Sequence, residues 1–456
     1  MSTAVLSRQQ NLTRHRFHIW TSGCQMNKDD SERIARSLVL DGHVPVSDPD
    51  RASVVILNGC SVRDNSDRKV WGRVGALGFR KRHRGDVLIA LTGCSAAAPA
   101  EEIAPYLKWL DVVFPARDLD PLRALLAENP GPVTDDWDEF LPEQLPGAGA
   151  VSRYVTVIHG CDKRCTFCIV PFRRGPEESR TIDEIIAEIE SRVDEGAREV
   201  TLLGQIINRY GRNLEPEASL ATLLQRIDSS QLVPRLRFLT AHPRHLEQDL
   251  AAAMGSLDSV CEEINLPVQS GDDLVLKRMG RGYNTDFYRR QIELLRHHVP
   301  GIAISTDIIV GFPGETEAQF QNTLRLLEGI RFDVVHVAAF SARRGTVAAK
   351  WGDTIEVDEK LRRLHEVERV QEAIATSLNH ALVGTTHDVL FEELRQSPVA
   401  GAAPRWMGRT RTNKLVFCEP DTEIQAGDIR SVQITATTAW SLRGTSAPAP
   451  AAQAAS

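Results

Sequence analysis

A chain of 456 residues is too long for one average domain, and about three domains of about 150 residues are expected. With 42% hydrophobic and 25% charged residues, wholesale disorder is excluded, and no apolar run approaches the ~20 residues of a bilayer-spanning helix. Lys and Arg number 54 against 61 Asp and Glu, a net charge of −7, so any nucleic-acid surface has to be local.

In chain order, residues 1–14 read as a tail without a signal-like apolar core. Over 15–128, strand-like runs at 17–20, 54–57 and 87–91 alternate with helical spacing at 31–40 and 63–77, which predicts an α/β domain on a parallel sheet. A Pro/Gly/acid-rich linker follows over 129–150. Over 151–375, six strands are expected at 154–158, 199–203, 235–240, 263–266, 302–309 and 334–340. Helical patterns separate them, and a long charged helix over 358–375 closes the section. This is a partial (βα)6 barrel, whose functional groups belong at the C-terminal strand ends. Residues 376–444 switch to short strands at 387–392, 415–417 and 431–437, a small β-barrel, before an Ala/Pro-rich tail over 445–456. A soluble, cytoplasmic protein is expected.

Eight cysteines are too sparse for a disulfide scaffold, and in a reducing compartment clustered thiols act as metal ligands or catalysts. Three N-terminal strands end alike, in Gly23-Cys24, Gly59-Cys60 and Gly93-Cys94, spaced 36 and 34 residues apart, about one βα unit each. Parallel strands end along one edge, so the three thiols converge on one crevice. They could bind zinc with an open fourth position or hold three irons of a 4Fe-4S cluster; for any one of them alone, a plain buried Cys is the simpler reading. After the first strand of the second section come Cys161, Cys165 and Cys168, in C-x3-C-x2-C spacing. Such a loop wraps three corners of an iron–sulfur cube and leaves the fourth iron open; the paired Cys-x2-Cys units usual for zinc are missing. Cys261 and Cys418 have no partner at ligand spacing and read as structural thiols.

These motifs resemble the radical S-adenosylmethionine (radical SAM) methylthiotransferases. The likeness is carried by Gly23-Cys24-Gln25-Met26-Asn27, Cys60-Ser61-Val62-Arg63, Cys168-Ile169-Val170-Pro171, Glu178-Ser179-Arg180, Leu266-Pro267-Val268-Gln269-Ser270-Gly271 and Asp307-Ile308-Ile309-Val310-Gly311-Phe312-Pro313-Gly314-Glu315. It spans about 17–442. Gln25-Met26 and Ser61-Val62-Arg63 look most like the branch acting on isopentenylated adenosine in tRNA. Gly59, Asn265, Ile206-Ile207-Asn208 and Phe340 depart from the residues common there, and none is a cysteine.

The resemblance implies two 4Fe-4S clusters and S-adenosylmethionine. An aromatic C–H on adenine has no acidic proton and no leaving group, so a cofactor must supply a radical. The cluster on Cys161, Cys165 and Cys168 would reductively cleave S-adenosylmethionine, and the resulting 5'-deoxyadenosyl radical would activate adenine C2. The cluster on Cys24, Cys60 and Cys94 would hold the sulfur, methylated by a second S-adenosylmethionine before transfer. Phe167, Arg180, Gln205 and Gly311 are candidate S-adenosylmethionine contacts; loop anchoring, a solvated arginine and a bare turn explain Phe167, Arg180 and Gly311 as well.

The last section resembles the TRAM RNA-binding module, and its basic run Arg405, Arg409, Arg411 and Lys414, with Trp406, suits tRNA contact. The run 80–84 reads equally as an RNA patch or a solvated rim. Partners implied are tRNA, an electron donor such as flavodoxin or ferredoxin, and a sulfur or cluster supplier, around a monomer with no membrane contact. The alternatives are the same chemistry on threonylcarbamoyl-adenosine or on a ribosomal-protein aspartate, and a non-enzymatic iron–sulfur RNA-binding factor.

Overall fold

The computed structural model describes residues 14–62, 64–131, 146–147, 149–396 and 403–446. Nearly all of the expected N-terminal tail, residues 447–456 and most of the expected linker lie outside them, while Thr445 and Ser446 of the expected C-terminal tail belong to the last strand. Two compact units are formed, Met1–Gly149 with Ile169–Gly175, and Ala150–Cys168 with Pro176–Ser456.

The first unit runs β1 (Arg16–Ser22), α1 (Gln25–Leu40), β2 (Val44–Pro45), β3 (Val54–Gly59), α2 (Asp64–Arg84), β4 (Leu88–Gly93), α3 (Ala100–Ile103), β5 (Val112–Val113) and α4 (Asp120–Glu128). Its sheet is wholly parallel, in the order β2-β1-β3-β4-β5. The pleat sends Val54 and Ile56 to one apolar layer, with Ile34, Leu38 and Leu122, and Val55 and Leu57 to the other, with Val70 and Val74. Each such fully buried aliphatic side chain contributes about 1.5–3 kcal/mol. This two-sided burial is why the strands read as continuous apolar runs.

Helix α1 starts at Gln25, six residues ahead of the expected start. Asn27, Asp29 and Asp30 are buried in its first turns. The basic end of α2 is occupied within the unit. Arg80 donates to the carbonyls of Pro49, Asp50 and Ala52, Lys81 pairs with Asp111, and the Arg82 guanidinium lies 4.8 Å from the Trp109 ring centroid. Cations there also complement the helix dipole.

The second unit opens with β6 (Ser152–Thr156) and β7 (Ile158–His159). The chain then makes α5 (Val170–Arg174), which is counted with the first unit. It continues through β8 (Glu178–Ser179), α6 (Ile182–Asp194), β9 (Glu199–Leu203), α7 (Leu220–Ser230), β10 (Arg235–Phe238), α8 (Gln248–Ser256), β11 (Glu263–Asn265), α9 (Asp273–Met279), α10 (Thr285–His298), β12 (Ala303–Val310), α11 (Glu317–Ile330), β13 (Val334–Ala339) and α12 (Val357–His380). Parallel triplets β6-β9-β10 and β11-β12-β13 are joined by a bridge between Leu236 and Val260, which gives the six-stranded partial barrel expected. The strand expected over 154–158 divides instead, because Ile158–His159 turns away to pair antiparallel with β8.

Strands β14 (Thr386–Arg395), β15 (Arg405–Thr410), β16 (Leu415–Cys418), β17 (Ile429–Thr437) and β18 (Leu442–Ser446) close a barrel in the order β14-β15-β16-β18-β17. Two of them, β15 and β18, were not expected. Each contains a glycine that reads as a turn but serves close packing: a Cβ on Gly408 would meet Leu390 O at 2.4 Å, and one on Gly444 would meet Val432 Cγ1 at 2.4 Å.

The small barrel docks at the N-terminal ends of the large barrel's strands. Arg237, bonded to Glu199 and Glu263, donates to the carbonyls of Thr410 and Arg411, and Arg235 donates to those of Arg409 and Asp388. These buried guanidiniums are satisfied by carboxylates and backbone oxygens, as burial of a cation requires.

Candidate metal centres

In the first unit, register places the thiols. Ser22 pairs with Gly59 and Gly59 with Gly93, so β1, β3 and β4 end level and pass directly into Cys24, Cys60 and Cys94. The glycines permit the approach: a Cβ on Gly23 would lie 2.6 Å from Cys60 Cβ, and Gly93 holds φ +76° with Asn58 Oδ1 2.3 Å from where its Cβ would be. Behind them Asn27 donates to Asn58 Oδ1 and Gly59 O, while Asn58 donates to Asn27 O and Ser31 Oγ. Cys60 and Cys94 are buried and Cys24 is exposed.

Sequence reasoning missed Arg174. Its Nε donates to Cys94 Sγ at 3.2 Å, and both terminal nitrogens lie 3.3 Å from Asp30 Oδ2. A hydrogen bond from Cys60 and the Arg174 charge pull the Cys94 thiol below its ordinary pKa, while Cys60 is pushed up by that same bond and by burial. Ser95 Oγ, next to Cys94, is buried without a hydrogen-bond partner. Converging thiols, a buried guanidinium and an unused hydroxyl together fit an anionic inorganic group. Among the described residues, no three His, Cys, Asp or Glu side chains are close enough to share one ion.

In the second unit, Cys161, Cys165 and Cys168 occupy the loop after β7, with Gly160 at φ +68°. The loop is clipped from two sides. The Thr166 N–H and hydroxyl donate to Met279 O and Arg278 O, Thr166 O accepts from Ala348 N–H, and Asp162 and Glu177 exchange backbone-to-carboxylate bonds. Arg281, buried, donates to Cys165 Sγ at 3.5 Å, to Pro267 O and to Tyr283 Oη. Burial pushes the Cys161 thiol up to about 11, so a positive group must be bound before it ionises at neutral pH. Thr240 and Gln269 hold positive φ of 69° and 81° just past β10 and β11, and such strained positions concentrate at working edges.

The other candidates fall differently. Phe167 packs edge-on against Phe312 at 6.4 Å, beside a cluster that includes Met279 and Phe340, and so anchors the loop. Gln205 follows β9, half-buried. Arg180 pairs with Glu188 at 2.6 Å and donates to the Thr156 and Glu184 carbonyls. Gly311 makes room for Lys360, whose Cγ would lie 2.4 Å from an added Cβ.

Two members of the small barrel's basic run serve its docking, and two pair within the barrel. Arg411 grips Glu262 with Nε and Nη2 at 2.8–2.9 Å, Lys414 pairs with Asp333 at 2.7 Å, and Arg409 reaches Glu392 at 3.2 Å; Arg405 pairs with exposed Glu419. For Arg411 and Lys414, the sequence displays the charges but not the carboxylates, 149 and 81 residues away, that meet them. Reversal of charge in Arg411→Glu is therefore expected to cost about 1.5–3 kcal/mol of stability, the worth of a hydrogen bond to a charged group. A thermal unfolding midpoint equal to wild type would contradict this.

Three family models match in succession: an uncharacterized protein family, UPF0004, over residues 16–115, the radical SAM superfamily over 155–327, and the TRAM domain over 380–446. The fold resembles that of a radical S-adenosylmethionine methyltransferase, TsrM, from Kitasatospora setae, with TM-score 0.53 at 13% identity over 74% of each chain. This three-part build is that of a radical SAM enzyme joined to a TRAM module. Among curated proteins, the tRNA-2-methylthio-N(6)-dimethylallyladenosine synthase of Moorella thermoacetica is 38% identical over 94% of this chain and 98% of its own. That of Roseiflexus sp. is 40% identical over 97% and 91%. The chain belongs to the tRNA-2-methylthio-N(6)-dimethylallyladenosine synthase family.

Proposed function

We propose that the protein transfers a methylthio group to C2 of N6-isopentenyladenosine next to the anticodon in tRNA, with S-adenosylmethionine as methyl donor and radical source. The observation that carries this reading is a pair of cysteine triads on a chain of this family. One triad lies at three level strand ends beside a buried arginine, and the other lies in a clipped C-x3-C-x2-C loop.

Cys24, Cys60 and Cys94 would hold one 4Fe-4S cluster, and Cys161, Cys165 and Cys168 the other. When bound, these groups supply the electron that cleaves S-adenosylmethionine and the sulfur that is delivered. The chain's own residues then do the rest. Arg174 and Arg281 set a positive charge against one thiolate of each triad, Phe167 and Thr166 fix the loop, and the Asn27–Asn58 pair keeps the strand ends level. An electron donor such as flavodoxin or ferredoxin and a sulfur or cluster supplier complete the cycle, around a cytoplasmic monomer.

Anaerobic reconstitution with iron and sulfide, followed by S-adenosylmethionine, reductant and isopentenylated tRNA, tests the reading. Four irons per cluster predict about eight per chain, and nucleoside mass analysis should show the methylthiolated product. Unmodified isopentenyladenosine with both clusters loaded would refute it.

A further inference from the structure

Arg411 and Lys414 of the small barrel are drawn into docking, and the cations nearest the cluster loop lie elsewhere. A groove of about 580 Å³ opens between α9 and α10, lined by Lys277, Gly280, Gly282, Tyr283, Asn284, Phe287 and Arg290. It borders the loop directly: a Cβ on Gly280 would lie 3.3 Å from Arg164 O and 3.8 Å from Cys165 Cα. The missing Cβ of Gly282, at φ +74°, admits Arg244, whose Nη1 would be 2.9 Å from it. Arg244, Lys277 and Arg290 are exposed and make no ion pair among the described residues, a concentration of free positive charge on a chain of net −7.

Aromatic surface lies between the cations. Tyr283 and Phe287 stack at 6.3 Å, and the Arg290 guanidinium lies 5.9 Å from the Phe287 ring. The Tyr283 hydroxyl is held by Pro267 O and Val268 O, so that ring is fixed. The positive field reaches inward as well. Burial first, then Lys163, Arg209, Arg212 and Arg244, lower neighbouring His245 to about 3.

We propose that this groove binds the anticodon loop of tRNA, with phosphates on Lys277, Arg290 and Arg244 and an unstacked base on Phe287. Free cations tracking a backbone beside an aromatic platform are what single-stranded RNA requires. Contact with the cluster loop would put the bound nucleotides beside the reacting end of the barrel. The assignment rests on the tRNA reading above and localises it.

The test is fluorescence anisotropy of a labelled isopentenylated anticodon stem-loop RNA with the full, cluster-loaded chain across a salt series. The Lys277→Glu/Arg290→Glu variant should bind at least about tenfold more weakly, and its dependence on log salt should flatten by about 0.7 per lost phosphate contact. Phe287→Ala should weaken binding about tenfold with the salt slope unchanged, since stacking releases no counterions. Iron content and unfolding midpoint establish that each variant is folded. Folded variants with wild-type affinity and slope overturn the groove while leaving the tRNA reading intact. A wild-type chain that binds no such RNA overturns both.

Discussion

Cys165→Ala should abolish formation of 5'-deoxyadenosine, whereas Cys60→Ala should retain it and lose only the methylthiolated nucleoside. The two thiols belong to separately built sites. Cys165 sits in a loop held by Thr166, Met279 and Ala348, with Arg281 on its sulfur. Cys60 follows β3 directly, beside Gly23 and the Asn27–Asn58 pair. Removal of either thiolate takes one of three protein ligands from its site, so iron should fall from about eight to about four per chain in both variants. Iron content alone cannot separate them, and the products must. Liquid chromatography of 5'-deoxyadenosine and mass analysis of digested tRNA from the same reactions make the comparison. Methylthiolated tRNA from Cys60→Ala would mean that the strand-end triad does not carry the delivered sulfur. Wild-type yields of 5'-deoxyadenosine from Cys165→Ala would remove the loop triad from S-adenosylmethionine cleavage.

How much of this was legible in the sequence depends on the range of the interaction concerned. Strand ends and spacing are local, so the level arrangement of Cys24, Cys60 and Cys94 followed from three Gly-Cys pairs one βα unit apart. All six parallel strands of the large barrel were likewise visible as apolar runs. Charges were misread where their partners are distant. Arg411 and Lys414 looked like a surface because Glu262 and Asp333 are remote in sequence. Nothing local to Gly311 reveals that Lys360 passes there. Arg174 and Arg281 reach sulfurs 80 and 116 residues away. Their only local signals are an Arg-Arg pair closing the short α5 segment after Cys168 and an arginine between two glycines, Gly280 and Gly282.

Arg174→Gln should weaken the first unit and lower the reduction potential of the cluster assigned to it. The guanidinium is nearly buried, with side-chain exposure of 10% against 2% for Asp30. Breaking a buried pair leaves an uncompensated charge and costs about 3–5 kcal/mol. Arg33 still reaches Asp30 at 3.3 Å, which favours the lower end of that range. The effect on potential follows from charge. Reduction adds a negative charge beside Cys94, and Arg174 stabilises the more negative state through one bond to its sulfur. A hydrogen bond to a charged group is worth about 1.5–3 kcal/mol, and since the bond is made in both oxidation states the one-electron fall is at most about 65–130 mV. Arg174→Lys keeps the charge without the planar fork and should recover part of the potential but not all of the stability. An electron-paramagnetic-resonance redox titration in a Cys161→Ala/Cys165→Ala/Cys168→Ala background isolates the strand-end cluster. If Arg174→Gln leaves that midpoint unchanged while the protein unfolds more readily, Arg174 serves only the Asp30 pair, and the cluster takes no field from it.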